Sequence, residues 1–200
     1  MSDDRERRSF LRPLEVRADQ GAMTLTGYAA VFGQATDLGP FREQIAPGAF
    51  SDTLRRSDVR ALFNHDASKV LGRVSAGTLR LTEDATGLSA EIDLPDTTDG
   101  RDVRELVRRG DVSGMSFGFR VLSDRWDFTD DDAFRTIEAV ELYEVSAVTF
   151  PAYDGTSIAL RSRDQALRER RTQNFNAARL RLRLKTDLDL MVRSKASTGV

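Results

Sequence analysis

A chain of 200 residues, 40% hydrophobic and 31% charged, suits one folded domain plus an appendage. The absence of cysteine excludes disulfides, thiol catalysis and Cys-ligated zinc, and the single histidine excludes the common multi-histidine metal sites. No apolar run approaches the roughly 20 residues of a membrane helix, and the charged opening Met1-Ser-Asp-Asp-Arg-Glu-Arg-Arg has no apolar segment behind it, so a cytosolic chain is expected.

The net charge of −2 hides an asymmetry. Residues 161–200 carry 11 Lys/Arg and 4 Asp/Glu, a balance of +7, which leaves −9 on residues 1–160. Such a division predicts an acidic body and a basic tail with its own partner. The organisation expected is a charged, flexible stretch at 1–13, a domain at 14–160 and a basic, partly helical extension at 161–200.

In chain order, 14–32 is strand-like, rich in aromatic and β-branched residues from Thr24 to Phe32. Residues 33–40 are loop, closed by Gly39-Pro40. Ser51 is an expected N-cap for a short helix to Arg56. Strands are predicted at 59–64 and from Val70 to Val74, and a hairpin at 79–94 around Asp84-Ala-Thr-Gly87. Thr97-Thr98-Asp99 offers N-caps for a helix to about Arg109, with Val103, Leu106 and Val107 as its apolar stripe and Gly110 as its stop. Strands at 112–122 and 135–149 flank an acidic loop at 124–132, a turn is expected at 151–155, and a helix across part of 163–192. The body is therefore mainly β with a few helices, an α+β protein of barrel or sandwich type.

With no thiol available, nucleophilic hydrolysis would need a hydroxyl and a base. His65 is the sole imidazole, able to take and return a proton near neutrality. In Asp111-Val-Ser-Gly-Met-Ser-Phe-Gly-Phe-Arg-Val121, alternation puts Met115, Phe117, Phe119 and Val121 on a core face and Gly114, Ser116, Gly118 and Arg120 on the other. The glycines beside Ser116 leave room for another backbone to approach, although these residues alone favour a coiled strand with a small gap-filling serine. Ser113 falls on the core face and is the weaker nucleophile.

A carboxylate is wanted to hold the other imidazole nitrogen. Asp66 adjoins His65 and so points to the opposite face. Glu144 is expected to share a face with Val140, Leu142 and Val148, where an unpaired carboxylate is costly, and an arginine would satisfy it as well as a histidine. Glu141 is expected to be solvated. The acidic loop lacks calcium-loop spacing and Gly110–Gly118 lacks phosphate-loop spacing, so no metal or nucleotide cofactor is expected.

Five segments in order resemble the tailed-phage prohead proteases: Gly27-Tyr-Ala-Ala-Val-Phe-Gly33 with Ala46-Pro-Gly-Ala-Phe50; Asn64-His65-Asp66; Val70-Leu-Gly-Arg-Val74; Gly114-Met-Ser-Phe-Gly-Phe119; and Leu142-Tyr-Glu-Val-Ser-Ala-Val148 with Pro151-Ala-Tyr153. The resemblance covers about residues 24–160. It implies an assemblin-like closed β-barrel surrounded by helices, a serine endopeptidase of capsid maturation, and a location inside the procapsid in the bacterial host cytoplasm. The family's histidine maps onto His65 and its serine onto Ser116. Herpesvirus relatives use a second histidine, which this chain lacks, so the third role falls to Glu144 as the candidate. The implied substrate is the scaffolding portion of the major capsid protein, and the enzyme itself; a homodimer is compatible, and neither nucleic acid nor membrane is required. Backbone N–H groups around 71–73 are the expected oxyanion donors. A noncatalytic assembly factor retaining the same fold is the alternative.

Overall fold

The computed structural model describes residues 5–10, 12–19, 22–129, 132–150 and 156–197. The elements are β1 (Glu6–Phe10), β2 (Glu15–Asp19), β3 (Ala22–Val31), β4 (Thr36–Asp37), β5 (Arg42–Ile45), α1 (Ser51–Arg56), β6 (Arg60–Phe63), β7 (Asp66–Arg73), β8 (Leu79–Glu83), β9 (Gly87–Asp93), α2 (Thr98–Arg109), β10 (Gly114–Phe128), β11 (Ala133–Val148) and α3 (Thr156–Ser197). The turn expected at 151–155 lies outside the described residues.

One sheet of seven strands runs β1-β10-β11-β5-β4, with β6 also on β11 and β7 on β6. A second, of four strands, runs β2-β3-β9-β8. The long strand β11 organises the first sheet. It pairs antiparallel with β10, while its other edge takes β5 at Phe134–Ile137 and β6 at Glu144–Ala147, both parallel. The core lies between the sheets: Phe117, Phe119, Val145 and Ala147 from one side face Leu25, Leu88, Ala90 and Ile92 from the other, all fully buried. Phe117 stacks on Phe119 at 4.6 Å and meets Phe50 edge-on at 5.5 Å. Burial of one such ring is worth about 1.5–3 kcal/mol.

The closed barrel expected from the resemblance is not formed; both sheets are open. Closure requires a hydrogen-bond ladder around the whole circumference. Where β3 lies over β10 the join is made by side chains, with Leu14 and Met115 filling the space that Gly27 leaves open. Between β7 and β8 the bonds are those of a turn, Thr78 N–H to the Arg73 carbonyl (3.2 Å) and Arg73 N–H to Thr78 Oγ1 (3.0 Å).

Several local expectations are met. Helix α2 is capped by Thr97, whose hydroxyl accepts from Gly100 N–H, and stops at Gly110 with φ +81°; Val103 and Val107 are buried. The β8–β9 hairpin turns on Asp84, whose carboxylate accepts from the N–H groups of Thr86 and Gly87. At α1, by contrast, the N-cap is Phe50, and Ser51 donates its hydroxyl to Glu83 instead. The strands expected at 112–122 and 135–149 are longer than predicted: β10 continues to Phe128, where Trp126 packs on Phe41 and Phe128. The basic tail is a single helix, α3, rather than a partial one, and chain contacts divide the molecule at 158/159 into two units. In α3, Phe175, Leu180, Leu182, Leu184 and Leu188 are exposed. No described helix is long and apolar enough to cross a membrane.

Residues 6–10, expected within a flexible N-terminus, form β1 against β10. Their charges are paired rather than solvated. Arg8 Nε donates to Glu43 Oε1 and Arg8 Nη2 to Glu6 Oε2, each at 2.6 Å; Arg135 Nη1 reaches Glu43 (2.9 Å) and Glu6 (3.1 Å), and its Nε reaches Asp124 (2.7 Å). Glu6, Arg8, Glu43 and Arg135 are all nearly inaccessible to solvent. Burial alone would lower the pKa of each arginine, but the facing carboxylates outweigh it and the net shift is upward. Isolated, each charge would cost several kcal/mol to bury; as a closed network they anchor β1 across β10.

Candidate functional site

His65 is placed by a tight turn. Phe63 and Asp66 pair across the β6–β7 hairpin, leaving Asn64 and His65 as its two central residues, with φ +51° and +59°. Two positive φ values define the type I′ class, which normally favours Asn followed by Gly. A histidine in the second position holds a conformation that costs about 1–3 kcal/mol. The end of β11 holds the turn in place. Asn64 N–H donates to the Ala147 carbonyl (2.9 Å), Asn64 Nδ2 to Thr149 Oγ1 (3.1 Å), and Thr149 N–H to Asn64 Oδ1 (2.9 Å). His65 N–H donates to Ser146 Oγ at 3.3 Å.

Glu144 reaches the imidazole because β11 is irregular. Gly118 pairs with Glu144 but the next residue, Phe119, pairs with Leu142, so Tyr143 is an extra residue in the strand. Such a bulge shifts the side-chain alternation by one residue. The expectation that Glu144 shares a face with Val140 and Leu142 is therefore corrected. Beyond the bulge Val145 and Ala147 turn to the core, opposite Phe117 and Met115, while Glu144 and Ser146 stand opposite Gly118 and Ser116.

On that face Glu144 Oε1 lies 2.6 Å from His65 Nδ1, and Ser146 Oγ donates to Glu144 Oε2, also at 2.6 Å. A carboxylate oxygen at this distance accepts a proton held on Nδ1, which directs the other ring nitrogen, Nε2, away from Glu144. Nε2 is buried and has no hydrogen-bond partner among the described residues. Gly118 gives the carboxylate its place: a Cβ there would stand 2.5 Å from Glu144 Oε1. The glycine expected to admit a second backbone instead makes room for this side chain.

Ser116 lies in a cross-strand row with Ser9 and Ser146 and is completely buried. Its hydroxyl donates to the Arg8 carbonyl at 2.9 Å, and no hydrogen bond joins it to His65. The fold thus pairs His65 with Glu144 and sets Ser116 on the adjacent strand, directly opposite Ser146. Ser113, expected on the core face, is instead exposed, because it precedes β10 and lies outside its alternation. Asp66 bonds to Ser68 N–H and Oγ, which holds its carboxyl below the usual range, and takes no part in the pair. Glu141 is partly exposed, bridged to Arg120 at 2.8 Å. Arg73 N–H, expected among the oxyanion donors, is engaged by Thr78. Ser146 was not singled out from sequence, although its Glu-Val-Ser spacing puts it on the same face as Glu144.

A cleft of about 590 Å³ opens beside Glu144, with Leu62 and Val70 in its wall and Arg5, Arg56 and Arg60 among its charged lining. Among the described residues no group of three or more His, Asp or Glu side chains could hold a metal.

The fold and site define an α+β protein that carries serine and carboxylate on neighbouring strands of one sheet and an imidazole on the adjoining hairpin turn. The chain belongs to the caudovirus prohead serine proteases, whose family model matches residues 12–171. It is 33% identical over 138 residues to the prohead protease of Enterobacteria phage HK97, covering 66% of this chain and 57% of that relative. It is 24% identical over 154 residues to the prohead protease of Escherichia phage T5, covering 76% of this chain and 69% of that relative. The matched region thus spans little more than half the length of the HK97 protein. The bacteriophage T4 capsid assembly protease has a similar chain trace at TM-score 0.49 and 11% identity, over 74% of this chain and 98% of that one.

Proposed function

We propose that this chain is a serine endopeptidase of phage capsid maturation, with Ser116 as nucleophile, His65 as general base and Glu144 as the group that orients the imidazole. The observation that carries the reading is the 2.6 Å contact between His65 Nδ1 and Glu144, with Nε2 buried and without a hydrogen-bond partner among the described residues. Glu144 holds the ring in one tautomer and stabilises the imidazolium that forms when Nε2 accepts a proton.

In the proposed reaction, rotation about the Ser116 Cα–Cβ bond takes its hydroxyl from the Arg8 carbonyl toward Nε2. Nε2 removes the hydroxyl proton as Oγ attacks the scissile carbonyl carbon. The tetrahedral intermediate collapses by losing the amine, which receives the proton from Nε2, and leaves an acyl ester on Ser116. Water, deprotonated by the same nitrogen, then releases the acid. Catalytic hydrogen bonds are often absent or long without substrate, which accommodates the resting position of the hydroxyl. The proposed substrate is the scaffolding portion of the major capsid protein, together with the enzyme's own chain, inside the procapsid.

Complete burial of Ser116 and its bond to Arg8 favour one other reading, a noncatalytic assembly factor with the same fold. Co-expression with the capsid protein distinguishes the two. The protease reading expects shortening of the capsid protein by the parent chain and none by Ser116→Ala or His65→Ala. Cleavage by Ser116→Ala refutes the nucleophile, and assembly without cleavage by any variant supports the alternative.

A further inference from the structure

We propose that Ser146 is a positioning residue that locks the two halves of the His65–Glu144 pair together; the role in turnover rests on the reading above, whereas the effect on the imidazole does not. Its hydroxyl makes two bonds at once. It donates to Glu144 Oε2 at 2.6 Å and accepts the backbone N–H of His65 at 3.3 Å. One atom thereby fixes the carboxylate that orients the ring and the backbone that carries it.

The surroundings give this hydroxyl more to do than fill a ladder position. His65 sits in the left-handed region, so its backbone needs an outside restraint, and its N–H points to Ser146 rather than to a strand neighbour. Glu144 lies over Gly118, which has no side chain that could hold the carboxylate in place. Its Oε1 is taken by His65, and Ser146 is the donor on Oε2 among the described residues. Ser146 itself is fully buried, so water cannot replace it without rearrangement. Ser146 stands directly across the ladder from Ser116, with its oxygen engaged by Glu144 and by the His65 backbone.

His65 is the only histidine in the chain, which gives a direct readout. In ¹⁵N-labelled full-length protein one imidazole is observed, and its Nδ1–H proton and nitrogen shifts report the tautomer without any substrate. Ser146→Ala, Ser146→Thr and Ser146→Val are compared with the parent, each checked for folding by thermal unfolding. Ser146→Ala is expected to lose the single Nδ1–H tautomer and to lower kcat about tenfold to a hundredfold, the kinetic equivalent of one hydrogen bond to a charged group. KM should stay within about twofold, since the hydroxyl binds no substrate. Thr and Val have the same shape and differ by the hydroxyl, so Thr should restore the Nδ1–H signal and turnover relative to Val.

An unchanged Nδ1–H signal in Ser146→Ala overturns the proposal, whether or not kcat falls. Equal behaviour of Thr and Val also overturns it. If Ser116→Ala still cleaves, the catalytic assignment fails, but the imidazole signal still decides the role of Ser146.

Discussion

Substitution of Gly118 by alanine perturbs the site without touching any group that reacts. The new methyl carbon would stand 2.5 Å from Glu144 Oε1 and 3.2 Å from Glu144 Cγ and Cδ. An ordinary carbon–oxygen contact is roughly 3.3 Å, so the carboxylate must retreat by about 0.8 Å. The end of a glutamate moves easily, but this one is held by two bonds of 2.6 Å, to His65 and to Ser146. A retreat of that size stretches both toward about 3.4 Å, beyond the range of a good hydrogen bond. Overpacking of this kind costs about 1–3 kcal/mol of stability, which the fold should survive. On the proposed mechanism activity should suffer far more, because a displacement near 1 Å of the group that orients the base costs about a hundredfold. The assay is cleavage of the capsid protein by Gly118→Ala, Glu144→Ala and the double variant, with thermal unfolding as a control. The methyl group acts only through Glu144, so the double variant should be no slower than Glu144→Ala alone. Multiplicative losses in the double variant, or full activity in Gly118→Ala, would refute the reasoning.

Three further outcomes follow from the fold. Arg135→Ala leaves Glu6, Glu43 and Asp124 without their shared cation; unfolding in denaturant should show a loss of about 3–5 kcal/mol, as for a broken buried pair, and a small loss would mean that water enters the network. Asn64→Ala removes the two side-chain bonds to Thr149 and puts a less tolerant residue at φ +51°, so it should lower stability by about 1–3 kcal/mol in the same experiment. The hydrogen bond from Arg73, with those from Ser75, depresses the Asp58 carboxyl to about 2. A carboxylate with a depressed folded-state pKa stabilises the fold above its unfolded pKa of roughly 3.9, and that contribution is lost as pH falls through the folded value. An NMR titration of Asp58 should therefore show a midpoint near 2 in the parent and a higher one in Arg73→Met, and an unchanged midpoint would remove Arg73 as the cause.

Much of the local structure was legible because its signals are local. Thr97 and Gly110 bracket α2 with a hydroxyl cap and a left-handed stop. Asp84 and Gly87 mark a hairpin through bonds that span three residues. His65 and Ser116 stood out by type and surroundings, one as the sole imidazole and one between glycines. The extent of the tail helix was less legible, because the leucines of α3 are exposed and mark no regular buried stripe. Alternation was a poor guide along β11, since a single extra residue at Tyr143 leaves the composition of the strand unchanged while reversing which side chains face the core.

The sequence by itself determined which groups are available: one imidazole, many hydroxyls and no thiol, in an acidic body carrying a basic tail. It also determined the cap and stop of α2 and the β8–β9 turn, because their partners lie a few residues apart. Tertiary structure alone decided that Glu144 faces His65, that Ser146 joins them, that Ser116 rests on Arg8, and that the sheets stay open. It also decided that the charged segment Glu6–Phe10 is buried, through Glu43 and Arg135, residues remote in the chain. The physical reason is common to these cases. The energy of a buried carboxylate, cation or hydroxyl depends on the partner that meets it, and these partners are supplied by register and packing across distant strands.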